Sequence, residues 1–219
     1  MSHGMTPLQV TFHLDRGAGT CYDPYNPIHL DGLLHWLLLP LQRTERVLQR
    51  DAPPEEIRLP LLDVTVRGVQ IWRASALFIP EDDAEKPTDV RFFRKKFDTA
   101  HISAARGNVN LASGTFRDYN LAIPVRHLSR LVAYTYGNRH RLEQLLKRLP
   151  SIGGKRHRGL GRVESVSVIE IDEERSLTWR GVAMRWLPGP NGLLRLVRPR
   201  PPYWNITGRV RCCEVGDPV

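Results

Sequence analysis

The chain has 219 residues, a length that suits one large domain or one domain with a small appendage. Hydrophobic residues make up 41% and charged residues 25%, which is ordinary globular usage and excludes global disorder. The net charge of +9 is unevenly placed, because residues 1–90 carry 8 Lys/Arg against 13 Asp/Glu and residues 91–219 carry 24 against 10. This asymmetry predicts a surface for a polyanion, since basic side chains displace counterions from phosphates.

Several other classes of protein are excluded by simple features of the sequence. The longest apolar stretch, residues 33–41, is interrupted by a histidine and a proline, and a membrane helix needs roughly 20 apolar residues. The N-terminal residues have no charged start followed by an apolar core, so no signal peptide is expected. Cys21, Cys212 and Cys213 fit neither a disulfide framework nor a zinc module. We expect a cytoplasmic protein without membrane contact, metal or cofactor.

A strand and then a helix are predicted at the start of the chain. Residues 8–14 alternate between apolar and polar, which is the period of a half-buried strand. After a loop of turn-forming residues, Asn26 is a suitable N-cap and Pro27 a suitable first helical residue. The apolar residues of 28–39 fall near one face, so this segment predicts a buried amphipathic helix.

The next segments predict strands and then an insertion. Residues 61–67 and 69–79 fit two strands around Gly68, or one long strand with a bulge there. The acidic run 80–89 is predicted to be a solvated loop. Residues 90–123 are basic and irregular and contain glycine and paired aromatics, so an inserted hairpin or lobe is expected.

The alternation of strand and helix then repeats. Residues 125–136 and 163–171 have strand patterns, and residues 139–149 have leucines at the i, i+3, i+4, i+7 spacing of an amphipathic helix. The order strand, helix, strand, insertion, strand, helix, strand is the ferredoxin-like βαββαβ order. The predicted fold class is therefore α+β.

This order divides the chain into two predicted parts. Residues 1–171 would form a ferredoxin-like (RRM-like) domain, with a thumb-like insertion at about 80–125. Residues 172–219 would form a small β-rich C-terminal extension. Eight arginines and no acidic residue occur between residues 175 and 213, so the extension is included in the predicted polyanion surface.

A glycine-rich basic connection follows the second predicted helix. Residues 151–163 read SIGGKRHRGLGRV. Glycine allows positive φ and a close approach to backbone amides, and Lys155, Arg156 and Arg158 add positive charge there. The loop lacks the G-x-x-x-x-G-K-[ST] order and precedes a strand, which excludes a nucleotide P-loop and a dinucleotide fingerprint. A phosphate backbone is the ligand that suits this chemistry, and a flexible basic turn is the alternative.

The chain resembles a known family at this loop and in several other segments. The loop after the second helix, GGKRHRGLG, resembles the glycine-rich loop of the RAMP superfamily, the RNA-binding proteins of CRISPR systems. Further segments are similar to one branch of that superfamily: DGLLHWLL, WRASALF, FRKKFD and FDTAHISAARGNVNLASGTFRDYNLAIP. That branch is the 5′-handle-capping subunit, of the Cas-five group, in type IV CRISPR effector complexes. The similarity covers roughly residues 8–170.

The resemblance implies a non-catalytic subunit of a ribonucleoprotein for antiviral defence and plasmid interference. Such subunits grip the 5′ handle of the CRISPR RNA. Their inserted thumb packs against a backbone RAMP subunit, and the large subunit of the complex lies beside them. Target DNA is a further candidate partner.

Site residues follow when the family pattern is carried onto this sequence. In the loop, the implied RNA-binding residues are Gly153, Gly154, Lys155, Arg156, His157, Arg158, Gly159 and Gly161. In the insertion, they are Arg91, Phe92, Phe93, Arg94, Lys95, Lys96, Arg106, Arg117 and Tyr119. The aromatic residues Phe92, Phe93 and Tyr119 either stack on bases or anchor the insertion to the core.

Two alternative functions stay open. A metal-independent RAMP endoribonuclease that processes CRISPR repeat RNA would use histidine as a general acid or base, and His29 and His157 are the candidates. A double-strand DNA-binding protein fits the charge but not the position of the loop. No H-x-H motif or carboxylate cluster indicates a metal nuclease, so neither a catalytic residue nor a metal ligand is assigned.

Overall fold

The computed structural model describes residues 4–39, 54, 56–84, 88–96, 118–189 and 194–219. These residues form the α+β fold that was predicted, with many strands and few helices. The helices are α1 (Leu30–Leu38), α2 (Glu81–Ala84) and α3 (Arg139–Leu146). The strands are β1 (Met5–Leu14), β2 (Asp63–Val66), β3 (Val69–Trp72), β4 (Thr88–Lys95), β5 (Tyr119–Arg126), β6 (Arg130–Asn138), β7 (Val163–Glu170), β8 (Thr178–Trp179), β9 (Val182–Ala183), β10 (Leu187–Pro188), β11 (Arg195–Val197) and β12 (Val210–Cys213). Within the described residues, no helix is long and apolar enough to cross a membrane.

Alternating apolar residues build the central sheet. Strand β1 lies between β6 and β7 and is antiparallel to both. Its buried apolar side chains share one face: Leu8, Val10, Phe12 and Leu14. The leucines of α1 and α3 pack in the same core cluster, so both helices cover that face. This arrangement is compatible with a ferredoxin-like domain.

The predicted start of helix α1 is wrong. The N–H of Asn26 donates to the carbonyl oxygen of Asp23 in a turn, at 3.1 Å, and Asn26 does not cap the helix. The N-cap is His29, whose backbone is extended with φ −93° and ψ 140°. The N–H of Leu30 donates to the carbonyl oxygen of Ser75 at 3.1 Å. A neighbouring chain segment therefore satisfies this amide in place of a capping side chain.

A tight hairpin joins β2 and β3. Arg67 and Gly68 have φ values of 49° and 77°, the pair of positive values that a type I′ turn requires. The two-strand prediction is therefore right, and the long strand with a bulge is wrong. Strand β3 ends at Trp72, and residues 74–78 make only isolated bridges with β6. The βαββαβ order is thus not reproduced strand by strand.

Within the segment 80–89, predicted to be a solvated loop, residues 81–84 form a helical turn, 88–89 begin β4, and 85–87 lie outside the described residues. Helix α2 buries Asp83, whose Oδ2 accepts the backbone N–H groups of Ser129 and Arg130, each at 3.0 Å. These amides lie where β6 begins, so the carboxylate ties the turn to the central sheet. The single strand predicted at 125–136 is divided at this point, because β5 ends before it and pairs with β4.

The basic insertion forms an antiparallel hairpin of β4 and β5. The two strands pair in continuous register, from Thr88 opposite Arg126 to Lys95 opposite Tyr119. The predicted insertion also includes residues 97–117, which lie outside the described residues. The described residues therefore form the base of the hairpin, which joins the rest of the protein next to the glycine-rich loop.

The C-terminal extension is anchored in the core by a buried arginine. Strands β8 and β9 pair with each other, and β10, β12 and β11 form a second small sheet. Arg185 has no exposed surface, and its Nη2 lies 3.2 Å from Oδ2 of Asp31 on α1. Its guanidinium also donates to the backbone carbonyl oxygens of Trp72, Ala74 and Pro199. The extension and the central domain therefore share a buried polar network.

Candidate nucleic-acid interface

The glycine-rich loop holds a short exposed segment between buried anchors. Ile152 and Leu160 are fully buried, and Gly161 is buried beside them. Residues 154–159 are all exposed. The side chains that a ligand could reach are those of Lys155, Arg156, His157 and Arg158.

The backbone of the exposed segment has the shape of an anion site. Lys155 is left-handed with φ 55°, Arg156–Arg158 form one 3-10 turn, and Gly159 closes it with φ 81°. A left-handed residue followed by right-handed ones directs successive N–H groups toward one point. Among the described residues, the amides of 155–157 donate to no backbone carbonyl. The loop can therefore present both N–H groups and cationic side chains to a phosphate.

Two of the four loop glycines are required by packing inside the protein. A Cβ on Gly161 would lie 1.7 Å from the carbonyl oxygen of Ile152, and one on Gly153 would lie 2.5 Å from that of Cys21. Both glycines also have positive φ. They let the loop pack against its neighbours, and the buried Gly161 has no surface for RNA. The other two loop glycines are exposed.

Alanine at Gly161 should therefore be far more damaging than alanine at Gly159. We expect Gly161→Ala to lower the free energy of unfolding by about 3–5 kcal/mol, from the backbone overlap together with the left-handed φ. In Gly159→Ala the new methyl group meets nothing within 4 Å, so only the strain of about 1–2 kcal/mol applies. Urea unfolding of both variants measures the difference. Equal losses would contradict the packing role of Gly161.

One side of the β4–β5 hairpin faces the glycine-rich loop. Leu160 packs in a small apolar cluster with Phe93, Ile123 and Val125. The guanidinium of Arg158 lies over the Phe93 ring, with Cζ 5.7 Å from the ring centroid. Because side chains alternate along a strand, the loop-facing side carries four of the predicted residues. These are Arg91, Phe93, Lys95 and Tyr119.

The outward side of the hairpin carries Phe92 and Arg94. The Phe92 side chain is 68% exposed and points away from the loop. Lys96 follows β4 and is exposed. The predicted residues Arg106 and Arg117 lie outside the described residues. The structure thus brings only part of the predicted insertion residues to the loop.

Helix α1 adds an aromatic residue that the sequence interpretation missed. Trp36 is 45% exposed, and the guanidinium of Arg156 lies over its ring, with Cζ 4.7 Å from the centroid. The sequence contained a signal for it, because Trp36 falls outside the leucine stripe that buries the helix. That stripe is Leu30, Leu33, Leu34 and Leu37. The exposed basic turn of the loop, residues 154–159, therefore has aromatic rings on two sides, Trp36 and Phe93.

A comparison with protein families covers nearly the whole chain. Residues 6–215 match the family model described as CRISPR type IV associated protein Csf3. The chain belongs to the Csf3 family. The type IV CRISPR part of the resemblance is thereby confirmed. No curated protein matches the chain.

The Csf3 match extends beyond the segments that carried the resemblance. Those segments ended near residue 170, whereas the match includes β8 to β12. The anchoring of the extension through Arg185 and Asp31 gives a structural reason for this. Through Arg185 the extension is tied to α1 and to the chain at the end of β3.

The first candidate general base in this Csf3-family chain is buried. His29 is 2% exposed, and its ring centroid lies 4.6 Å from that of Trp186 and 4.9 Å from that of Tyr203. Burial, and then the charge of Arg185, lower the pKa of His29 well below 6.5. An RNA phosphate in solvent does not reach this imidazole in the folded protein. The other candidate, His157, is exposed in the basic turn.

The buried neutral His29 predicts a loss of stability in acid. In the unfolded chain His29 binds a proton near the ordinary pKa of 6.5, whereas the folded state disfavours that proton. The free energy of unfolding therefore decreases as the pH falls below this value. We expect His29 to account for about 1.4 kcal/mol of lost stability between pH 7.5 and 5.5. Burial also lowers the pKa of His35, which adds to the dependence.

The variant His29→Phe tests this assignment, because it keeps an aromatic ring between Trp186 and Tyr203. Urea unfolding measures the free energy of unfolding at pH 7.5 and at pH 5.5. The difference between the two values should be about 1.4 kcal/mol smaller in the variant than in the wild type. Identical pH dependence in variant and wild type would contradict the assignment.

Three of the eight arginines of the C-terminal extension make contacts within the protein that bury them wholly or in part. Arg185 is buried, as described. Arg200 lies over the Trp72 ring at 4.9 Å and donates to Gln70 at 3.0 Å. Arg198 donates to two backbone carbonyl oxygens. Arg185 therefore cannot contribute to the predicted polyanion surface, and Arg198 and Arg200 are half-buried. A count of arginines does not distinguish buried from exposed charge.

Proposed function

We propose that this Csf3-family chain is a non-catalytic RNA-binding subunit of a type IV CRISPR ribonucleoprotein that holds the 5′ handle of the CRISPR RNA. The observation that carries the proposal is the exposed basic turn, residues 154–159, beside the loop-facing side of the hairpin. We call this the loop–hairpin surface. It consists of residues 154–159 with Arg91, Phe93, Lys95 and Tyr119. Cations and backbone N–H groups suit phosphates, and aromatic rings suit unpaired bases.

The outward side of the hairpin suits a protein partner. Val90 is 47% exposed and Phe92 is 68% exposed there. Neighbouring apolar side chains exposed on one face form a patch, and exposed apolar patches mark protein interaction surfaces. In the Cas-five-type arrangement that the resemblance implies, this side would contact a backbone RAMP subunit. The large subunit and target DNA would contact other surfaces of the chain.

RNA binding is tested directly by anisotropy of a labelled CRISPR repeat RNA, titrated with the purified protein over a range of salt concentrations. We expect the logarithm of the affinity to fall linearly with the logarithm of the salt concentration, as counterion release requires. No binding at low salt, or binding without salt dependence, would contradict the proposed function.

The purified protein should leave labelled repeat RNA intact in the absence of metal. His29 is buried, which leaves the exposed His157 as the one candidate histidine of the two that RNA could reach. An acid and a base are both needed for RNA cleavage of this kind. A denaturing gel over a time course measures the outcome. Cleavage products that disappear in His157→Ala or His29→Ala would instead establish the endoribonuclease.

A further inference from the structure

We propose that Trp36 is a base-stacking residue, and that the RNA at the loop–hairpin surface is single-stranded with an unpaired base against the Trp36 ring. This inference rests on the proposed RNA-binding function of that surface. It adds a residue from a separate element, helix α1, and it specifies the state of the RNA that the site accepts.

Trp36 differs from every other residue of helix α1. The other residues of the helix are buried or half-buried, whereas Trp36 is 45% exposed. A single exposed aromatic residue is ordinary on a protein surface. Its position is the informative part, because the one large ring that α1 exposes lies beside the basic turn of the glycine-rich loop.

The contact with Arg156 indicates which chemistry fits the ring. The guanidinium carbon of Arg156 lies 4.7 Å from the Trp36 centroid, and that of Arg158 lies 5.7 Å from the Phe93 centroid. Two cations of one short turn are thus stacked on rings of two different elements. A guanidinium stacks on an aromatic ring and also binds a phosphate. A base stacked on the part of the Trp36 ring that Arg156 leaves exposed would have its phosphate within reach of Arg156.

A paired base would not fit this arrangement. In an RNA duplex the faces of the bases are covered by their neighbours, and proteins contact its shape, phosphates and 2′-hydroxyls instead. Stacking on protein aromatics is the mode by which unpaired bases of single strands are bound. A ring and a phosphate-binding side chain in direct contact therefore favour a single strand.

The test compares Trp36→Ala with a matched control, Trp204→Ala. Trp204 is a similarly exposed tryptophan, 38% exposed, in the C-terminal extension. The probes are a short labelled RNA without internal pairing and the same strand annealed to its complement. We expect Trp36→Ala to weaken single-strand binding by about 10-fold or more and duplex binding much less. Trp36→Phe should retain most of the affinity, and Trp204→Ala should bind like the wild type.

Intrinsic fluorescence gives a second readout that does not depend on the alanine variant. Single-stranded RNA should quench tryptophan emission of the wild type, and Trp36→Phe should remove most of that quenching. Equal quenching in both proteins would overturn the inference. Equal loss of single-strand and duplex affinity in Trp36→Ala would also overturn it, because Trp36 would then act only by positioning Arg156.

The loop variant Lys155→Ala/Arg156→Ala/Arg158→Ala, measured in parallel, separates this inference from the proposed function. If the loop variant loses affinity while Trp36→Ala binds like the wild type, stacking on Trp36 is wrong and RNA binding at the surface stands. If the loop variant keeps its affinity, the proposed function at this surface is wrong, and the inference fails with it. Loss in both variants, restricted to the single strand for Trp36→Ala, supports the inference.

Discussion

Replacing Arg185 with methionine should lower the free energy of unfolding by about 3–5 kcal/mol, because it leaves a buried carboxylate without its cation. Asp31 is fully buried and would lose the cation that lies 3.2 Å from its carboxylate. The carbonyl oxygens of Trp72, Ala74 and Pro199 would lose the same donor. Buried charges and carbonyls without partners are costly, because no water replaces the lost hydrogen bonds. Urea unfolding followed by circular dichroism measures the loss.

Two controls show whether the effect comes from the buried pair. Arg209→Met removes an exposed arginine of the same extension and should change stability by less than about 0.5 kcal/mol. The double variant Arg185→Met/Asp31→Leu removes both charges, so it should lose less stability than the sum of the two single variants. A loss below about 1 kcal/mol in Arg185→Met would mean that the pair does not hold the extension on the core.

The buried network also connects to the candidate site. Asp31 lies on α1, the helix that carries Trp36, and its Oδ1 accepts the Tyr203 hydroxyl at 2.6 Å. The extension therefore fixes α1 from one side while the glycine-rich loop contacts it through Arg156 on another. Arg185→Met should therefore weaken RNA binding only by lowering the folded fraction. Under conditions in which the variant is folded, its RNA affinity should equal that of the wild type.

Removing the three cations of the basic turn should give the largest loss of RNA affinity. The variant is Lys155→Ala/Arg156→Ala/Arg158→Ala, and all three side chains are exposed. Each phosphate contact contributes about 0.7 to the salt slope of single-strand binding, so three lost contacts should flatten the slope by about 2. The same relation predicts an affinity about 100-fold lower at 0.1 M salt. Anisotropy titrations at several salt concentrations measure both quantities.

A charge-matched control removes three exposed arginines of the C-terminal extension instead. Arg180→Ala/Arg209→Ala/Arg211→Ala changes the net charge by the same amount. If the loop–hairpin surface binds the RNA, this control should keep the slope and most of the affinity, since distant charges are screened by salt. An unaffected loop variant together with an impaired control would place the RNA on the extension and overturn the proposed site.

Folding of the loop variant can be checked independently. The loop is held by Ile152 and Leu160, which are fully buried, and by Gly161 against the backbone. None of the three substitutions touches these anchors. We therefore expect the circular dichroism spectrum and the unfolding midpoint to be close to those of the wild type.

Local pattern in the sequence was sufficient to predict the central sheet, helix α3 and the exposed basic turn. The alternation of Leu8, Val10 and Phe12 places them on one face of any strand, and the leucine spacing at 139–146 does the same on any helix. The turn was predictable because consecutive cations between glycines are rarely buried together. Each of these features depends on residues within a few positions of one another.

Contacts between distant segments decided the features that the sequence interpretation missed. Arg185 and Asp31 are 154 positions apart, so nothing near either residue distinguishes this arginine from the exposed ones. Burial under rings of the extension lowers the pKa of His29, and Trp36 lies beside the basic turn because the loop folds back to it. Contacts between distant segments also decide which side of the β4–β5 hairpin faces the loop. Alternation in a strand defines two faces, but only the neighbour that packs on the strand determines which face is buried. Likewise, a polar or charged side chain can be buried only where a distant segment supplies its partner.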